Sequence, residues 1–98
     1  MVIVGVSSFE LHFPSSRSLK DKRRIVKSLV DRIHRRFRVS IAETGFHDLH
    51  QRAEISMAAV TNGEGEMESL MAEIRSLVDN EPDAYLTHWD PQILEGAR

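Results

Sequence analysis

The sequence predicts an α+β domain in which two helices cover one face of a four-stranded antiparallel sheet. Three observations point there. Four stretches alternate apolar and polar residues, the last only weakly; two longer stretches repeat at helical spacing; and their order is strand, helix, strand, strand, helix, strand. The 98 residues are one domain's length of chain, and no linker or repeat divides them, so residues 1–98 are read as a single domain.

The first strand opens with Val2, Val4 and Val6 on one face and continues with Phe9, Leu11 and Phe13 in a shifted phase. That change at Ser7-Ser8 predicts a bulge, and Pro14, which cannot donate to a ladder, ends the strand. Ser18-Leu19-Lys20-Asp21 has capping-box spacing and starts a helix whose apolar stripe is Leu19, Val26, Leu29, Val30, Ile33 and Phe37. Val39, Ile41 and Glu43 alternate with Ser40, Ala42 and Thr44 as a second strand. After a polar loop, Ala53, Ile55, Met57 and Ala59 mark a third, closed by the turn signal Asn62-Gly63. Met67, Leu70, Met71, Ile74, Leu77 and Val78 give the second helix, with glutamates gathered at its amino end and Asn80-Glu81-Pro82 at its stop. Residues 84–89 are the fourth strand, which Pro91 is expected to interrupt. This split βαββαβ order is that of a ferredoxin-like two-layer sandwich.

Charge supplies the first functional clue. The net charge is −2, yet residues 17–38 carry ten Lys or Arg against Asp21 and Asp31, while residues 43–98 carry twelve acidic residues against three basic ones. One face of the first helix therefore offers a row of cations able to track a polyanion. Lys20, Arg23, Arg24, Lys27, Arg35 and Arg36 are the candidate nucleic-acid-binding residues. Aromatic support for base stacking is thin, so phosphate and shape are the expected targets rather than base edges. Glu43, Asp48, Gln51 and Arg52 form a second candidate polar site at the connection between strands two and three.

Other chemistries lack their residues. Without cysteine there is no disulfide, thiolate zinc site or cysteine nucleophile, and such a chain suits a reducing cytoplasm. No apolar run approaches the ~20 residues that span a bilayer, and the alternating Met1–Val6 start does not read as a signal peptide. His47, Asp48 and His50 make an H-D-x-H cluster, but its spacing matches no established metal site. Phe13-Pro14-Ser15-Ser16-Arg17 stands where acylphosphatases carry a glycine-rich phosphate loop, and it has no glycine. No nucleophile elbow or Walker-type loop is present. The expectation is therefore no catalysis, no cofactor and no metal.

The run Ser18-Leu19-Lys20-Asp21-Lys22-Arg23-Arg24, preceded by Leu11-His12-Phe13-Pro14, resembles the YlxP-like family of small bacterial proteins. Further matching runs are Arg36-Phe37-Arg38-Val39-Ser40-Ile41-Ala42-Glu43 and Asp48-Leu49-His50-Gln51-Arg52-Ala53. The resemblance covers residues 1 to about 78 and implies a ferredoxin-like fold and a neighbourhood of translation and ribosome maturation. This chain departs from the family at His50, where an aromatic is usual, and at Ser56, where a glycine is usual.

Together these readings predict an RNA- or ribosome-associated binding module that uses its basic first helix. The alternative is a dimeric protein-interaction or regulatory domain whose basic helix meets an acidic protein. A homodimer is expected in either case, because residues 39–44 and 84–89 would form sheet edges without blunting lysines.

Overall fold

A computed structural model describes residues 1–95, so the last residues of the predicted domain, and Arg98 of the charge tally, lie outside the described residues. The elements are β1 (Ile3–His12), α1 (Leu19–Arg36), β2 (Ser40–Gly45), β3 (Arg52–Thr61), α2 (Glu64–Asp79) and β4 (Tyr85–Glu95). The strands form one antiparallel sheet in the order β2-β3-β1-β4. Both helices lie on one face of it, and the core fills the layer between. Among the described residues no helix is long and apolar enough to cross a membrane.

The core joins Ile3, Phe9 and Leu11 of β1, Ile55 of β3, Leu29 and Ile33 of α1, and Met67, Ile74 and Val78 of α2. Each helix contributes its predicted stripe. Ser18 caps α1, its hydroxyl accepting from the Asp21 amide at 3.1 Å. The Asp21 carboxylate in turn accepts from the Arg17 amide at 3.1 Å, one residue earlier than in the standard capping box.

Two expectations about the strands are corrected. The inward face of β1 runs Ile3, Gly5, Ser7, Phe9, Leu11 without a phase change, and β1 pairs with β3 in unbroken register, so there is no bulge at Ser7-Ser8. Val4 and Val6 belong to the opposite, open face. The reason is space: a Cβ on Gly5 would stand 2.3 Å from the Met67 sulfur and 2.8 Å from Met71 Cε, so a larger residue would push both methionines of α2 aside. Small inward residues at positions 5 and 7 disguise the true phase. The second correction concerns β4, which continues through Pro91 to Glu95. An outer strand tolerates a proline because its lost amide takes least from the ladder. The register irregularity lies instead between Glu10 and Leu11, where Thr87 of β4 is the extra residue.

Candidate nucleic-acid interface

The basic face of α1 is the outward face of the helix. Lys22, Val26, Leu29 and Ile33 are buried against the sheet, whereas Lys20, Arg23, Arg24, Lys27, Arg35 and Arg36 are all exposed. Because 3.6 residues make a turn, Lys20, Arg24, Lys27 and Arg35 fall on the side away from the core. Arg23 lies on its flank, and Arg36, three residues after the buried Ile33, is exposed because the helix ends there. From Lys20 to Arg36 the row spans ~24 Å at ~1.5 Å per residue, the reach of several phosphates.

The cations are not equally available. Lys27 donates to Asp31 one turn later at 2.9 Å, and Arg32 pairs with the largely buried Glu81 in the connection that follows α2. The hydrogen bond from Lys27, aided by the charges of Lys27, Arg35 and His34, holds the Asp31 carboxyl below the usual carboxylate range. Asp31 is therefore charged at neutral pH and cancels part of the row. Lys20, Arg23, Arg24 and Arg35 form no ion pair among the described residues, and the Arg36 guanidinium lies 5.2 Å from the Phe37 ring centre. On the neighbouring helix, Glu64, Glu66, Glu68, Glu73 and Asp79 are exposed. An anion is thus drawn to α1 and repelled by α2, which gives the surface a direction.

The second predicted site resolves into a joint. Glu43 points inward from β2, and its Oε2 lies 3.1 Å from Nζ of Lys22, whose side chain is 0% exposed. That ammonium also donates to the backbone oxygens of Phe46 at 2.8 Å and Arg52 at 3.1 Å. Phe46 has φ 60°, a left-handed conformation costly for a bulky residue, and the Lys22 bond helps hold it there. Arg52 covers the Phe46 ring, its guanidinium carbon 4.0 Å from the centroid, and donates to Glu10 at 3.2 Å. The Gln51 amide donates to the carbonyls of Pro14 at 3.4 Å and Ser16 at 3.2 Å. Three of the four residues therefore fasten the β2–β3 loop to α1 and to the segment before it. Asp48 alone is exposed and unpaired among the described residues. No group of three or more His, Asp or Glu able to hold a metal stands together among the described residues, so His47, Asp48 and His50 do not form such a site.

Sequence reasoning missed Lys22. Its signal was present: Lys22, Val26, Leu29 and Ile33 follow one another at helical spacing, which puts a lone charge on the buried stripe. Glu43 likewise sits on the inward phase of β2. Two out-of-pattern charges of opposite sign are a reason to look for a pair.

Two helices on one face of a β2-β3-β1-β4 sheet define a ferredoxin-like domain. Within that class the chain belongs to the family described as "Protein of unknown function (DUF503)", whose model matches residues 4–90. It is 30% identical over 81 residues to the "Uncharacterized protein YlxP" of Bacillus subtilis (strain 168), covering 83% of this chain and 88% of that one. Among solved structures it is similar to LFR1 1, a de novo designed protein with a ferredoxin fold, at TM-score 0.50 and 18% identity over 100% of this chain and 89% of that one. It is also similar to SnoaB, a cofactor-independent oxygenase from Streptomyces nogalater, at TM-score 0.50 and 10% identity over 99% and 94%. At such low identities the structural likenesses speak to the fold alone.

Proposed function

We propose that this protein is a non-catalytic binding module of the bacterial cytoplasm that meets RNA, free or within a ribosomal particle, through the exposed face of α1. The observation that carries this reading is the set of five exposed cations, Lys20, Arg23, Arg24, Arg35 and Arg36, left without an acidic partner along one helix. Phosphates are the recognised groups. Bases would need exposed rings beside the cations, but Trp89 is half-buried against Phe9, their centroids 5.4 Å apart, Phe46 lies under Arg52, and the exposed Tyr85 sits opposite His12 on the sheet rather than on α1. The binding-only reading draws support from the sheltered ion pair. Lys22 and Glu43 neutralise each other, and the lysine spends its hydrogen bonds on two carbonyls, which leaves a structural joint rather than a poised acid and base.

The test is fluorescence anisotropy of a labelled RNA hairpin at low salt, with an acidic polypeptide of matched charge as competitor. Saturable RNA binding supports the proposal. Binding to the acidic polypeptide without binding to RNA would contradict it and favour a protein partner for the same helix. Asp31→Asn sharpens the test. Removing this carboxylate releases Lys27 and deletes the negative charge in the middle of the row. RNA affinity is expected to rise several-fold at low salt, with the salt slope steeper by ~0.7–0.9, the increment of one further phosphate neutralised.

A further inference from the structure

We infer that the open face of the sheet, opposite the helices, is the contact surface of a weak homodimer in which a second copy of this chain packs face to face. Following the register across the strands, this face is graded from one end to the other. Leu94, Val4 and Val60 form an apolar row. Next come Gln92, Val6, Ala58 and Ser40, then Asp90, Ser8, Ser56 and Ala42. The far end is charged, with Glu10 beside Glu54 and His12 beside Arg52. Among the described residues no layer covers the apolar end, where Val60 is 67% and Leu94 52% exposed. Antiparallel sheets commonly leave one face to water and line it with polar residues, so a contiguous apolar row on that face points to a contact surface.

The shape of the patch selects a second copy as occupant. Beside the ridge of Leu94, Val4 and Val60 lies a shallow depression of about 320 Å³ lined by Val6, Ser8, Ala42, Ser56 and Ala58. The small residues at its floor are held flat by the Ser8–Ser56 and Thr44–Ser56 hydroxyl bonds, at 2.8 and 2.7 Å. A ridge next to a hollow on one face is self-complementary. A two-fold axis crossing the strands near Val6 and Ala58 puts each ridge into the other copy's hollow. It also sends the two charged ends outward on opposite sides, so Glu10 and Glu54 never meet their own copies. The sheet edges serve this role poorly. β4 carries Pro91 and the extra Thr87, and β2 is six residues long with an irregularity between Glu43 and Gly45.

Area sets the strength. Three rows across four strands cover ~400 Å² per copy at ~4.8 Å between strands and ~3.3 Å per residue. That is ~800 Å² in the pair, below the ~1,200 Å² of standard stable interfaces, so the dimer is reversible. Both α1 faces stay outermost and free.

Sedimentation equilibrium from about 1 μM to about 500 μM, the range in which so small an interface would form, reads the association directly. The wild-type mass should climb from 11.2 kDa toward twice that value. Val60→Asp and Ala58→Lys, both on the open face, should each hold the mass at the monomer with an unchanged circular dichroism spectrum. Because the chain has no cysteine, Ala58→Cys gives an independent readout. Placed at the axis, it should oxidise to a disulfide-linked dimer, whereas Ser28→Cys on the outer side of α1 should not. A wild-type monomer throughout, a dimer that persists in both charged variants, or equal cross-linking of the two cysteine variants would overturn the inference. RNA affinity of Val60→Asp should match the wild type, so loss of the dimer and loss of RNA binding are separable.

Discussion

Replacing Lys20, Arg24 and Arg35 together by glutamate is expected to weaken RNA binding on the order of 100-fold at low salt and to leave the domain folded. Each of the three is exposed, none pairs with a carboxylate, and together they mark out the outward side of α1. Reversal does more than remove three cations from the phosphates, because each glutamate then repels the backbone that the cation attracted. The slope of log affinity against log salt should also flatten by about two to three units, at ~0.7–0.9 for each phosphate no longer neutralised. The structural cost is small. Glutamate at position 20 suits the first turn of the helix, and only the change at position 35, in the last turn, opposes the helix dipole by ~0.3–1 kcal/mol. An unchanged RNA affinity in a folded triple variant would remove α1 from the account.

The largest effect on stability should come from Lys22→Met. Methionine fills the same channel, so the change isolates the loss of the ammonium. Glu43 is then left in a mostly buried position without its cation, and the Phe46 and Arg52 carbonyls lose a donor. Breaking a buried pair from one side costs about 3–5 kcal/mol, a large share of the ~5–15 kcal/mol that holds a domain together. The melting temperature should fall by more than ~10 °C at this chain length. Adding Glu43→Leu to the same chain should recover much of the loss, since an apolar pair of similar volume needs no solvation. A Lys22→Met variant within about 1 kcal/mol of wild type in a urea melt would show that the pair holds nothing together.

The elements that bury a strong apolar pattern were legible from the chain alone. The α1 and α2 stripes, the Ser18 cap, the β3 alternation and the order that puts β2 and β4 at the edges all appear in the structure as read. The misreading of β1 has a plain cause: an inward position does not have to look apolar. Gly5 and Ser7 face the core because α2 needs their emptiness, and nothing within β1 announces the helix that packs there. Pro91 read as a stop although the element order already put β4 at an edge, a place in a sheet where a proline is tolerated.

For the candidate site, exposure of the basic row followed from the spacing of its apolar complement. Which cations are free did not follow so simply. Lys27 and Asp31, four residues apart, were open to a local reading, while the partner of Arg32 is 49 residues away. The residues at 43, 51 and 52 were recognised as polar and close together. That Glu43 turns inward onto Lys22, while Gln51 reaches the Pro14 and Ser16 carbonyls and Arg52 covers Phe46, is tertiary information.

The central claim, that α1 meets RNA through its phosphates, is tested most directly by titrating the wild-type protein onto a labelled RNA hairpin across a salt series. With five free cations at ~0.7–0.9 each, log affinity should fall linearly with log salt at a slope of about −3.5 to −4.5. No saturable binding at low salt, or an affinity that does not change with salt, would contradict it.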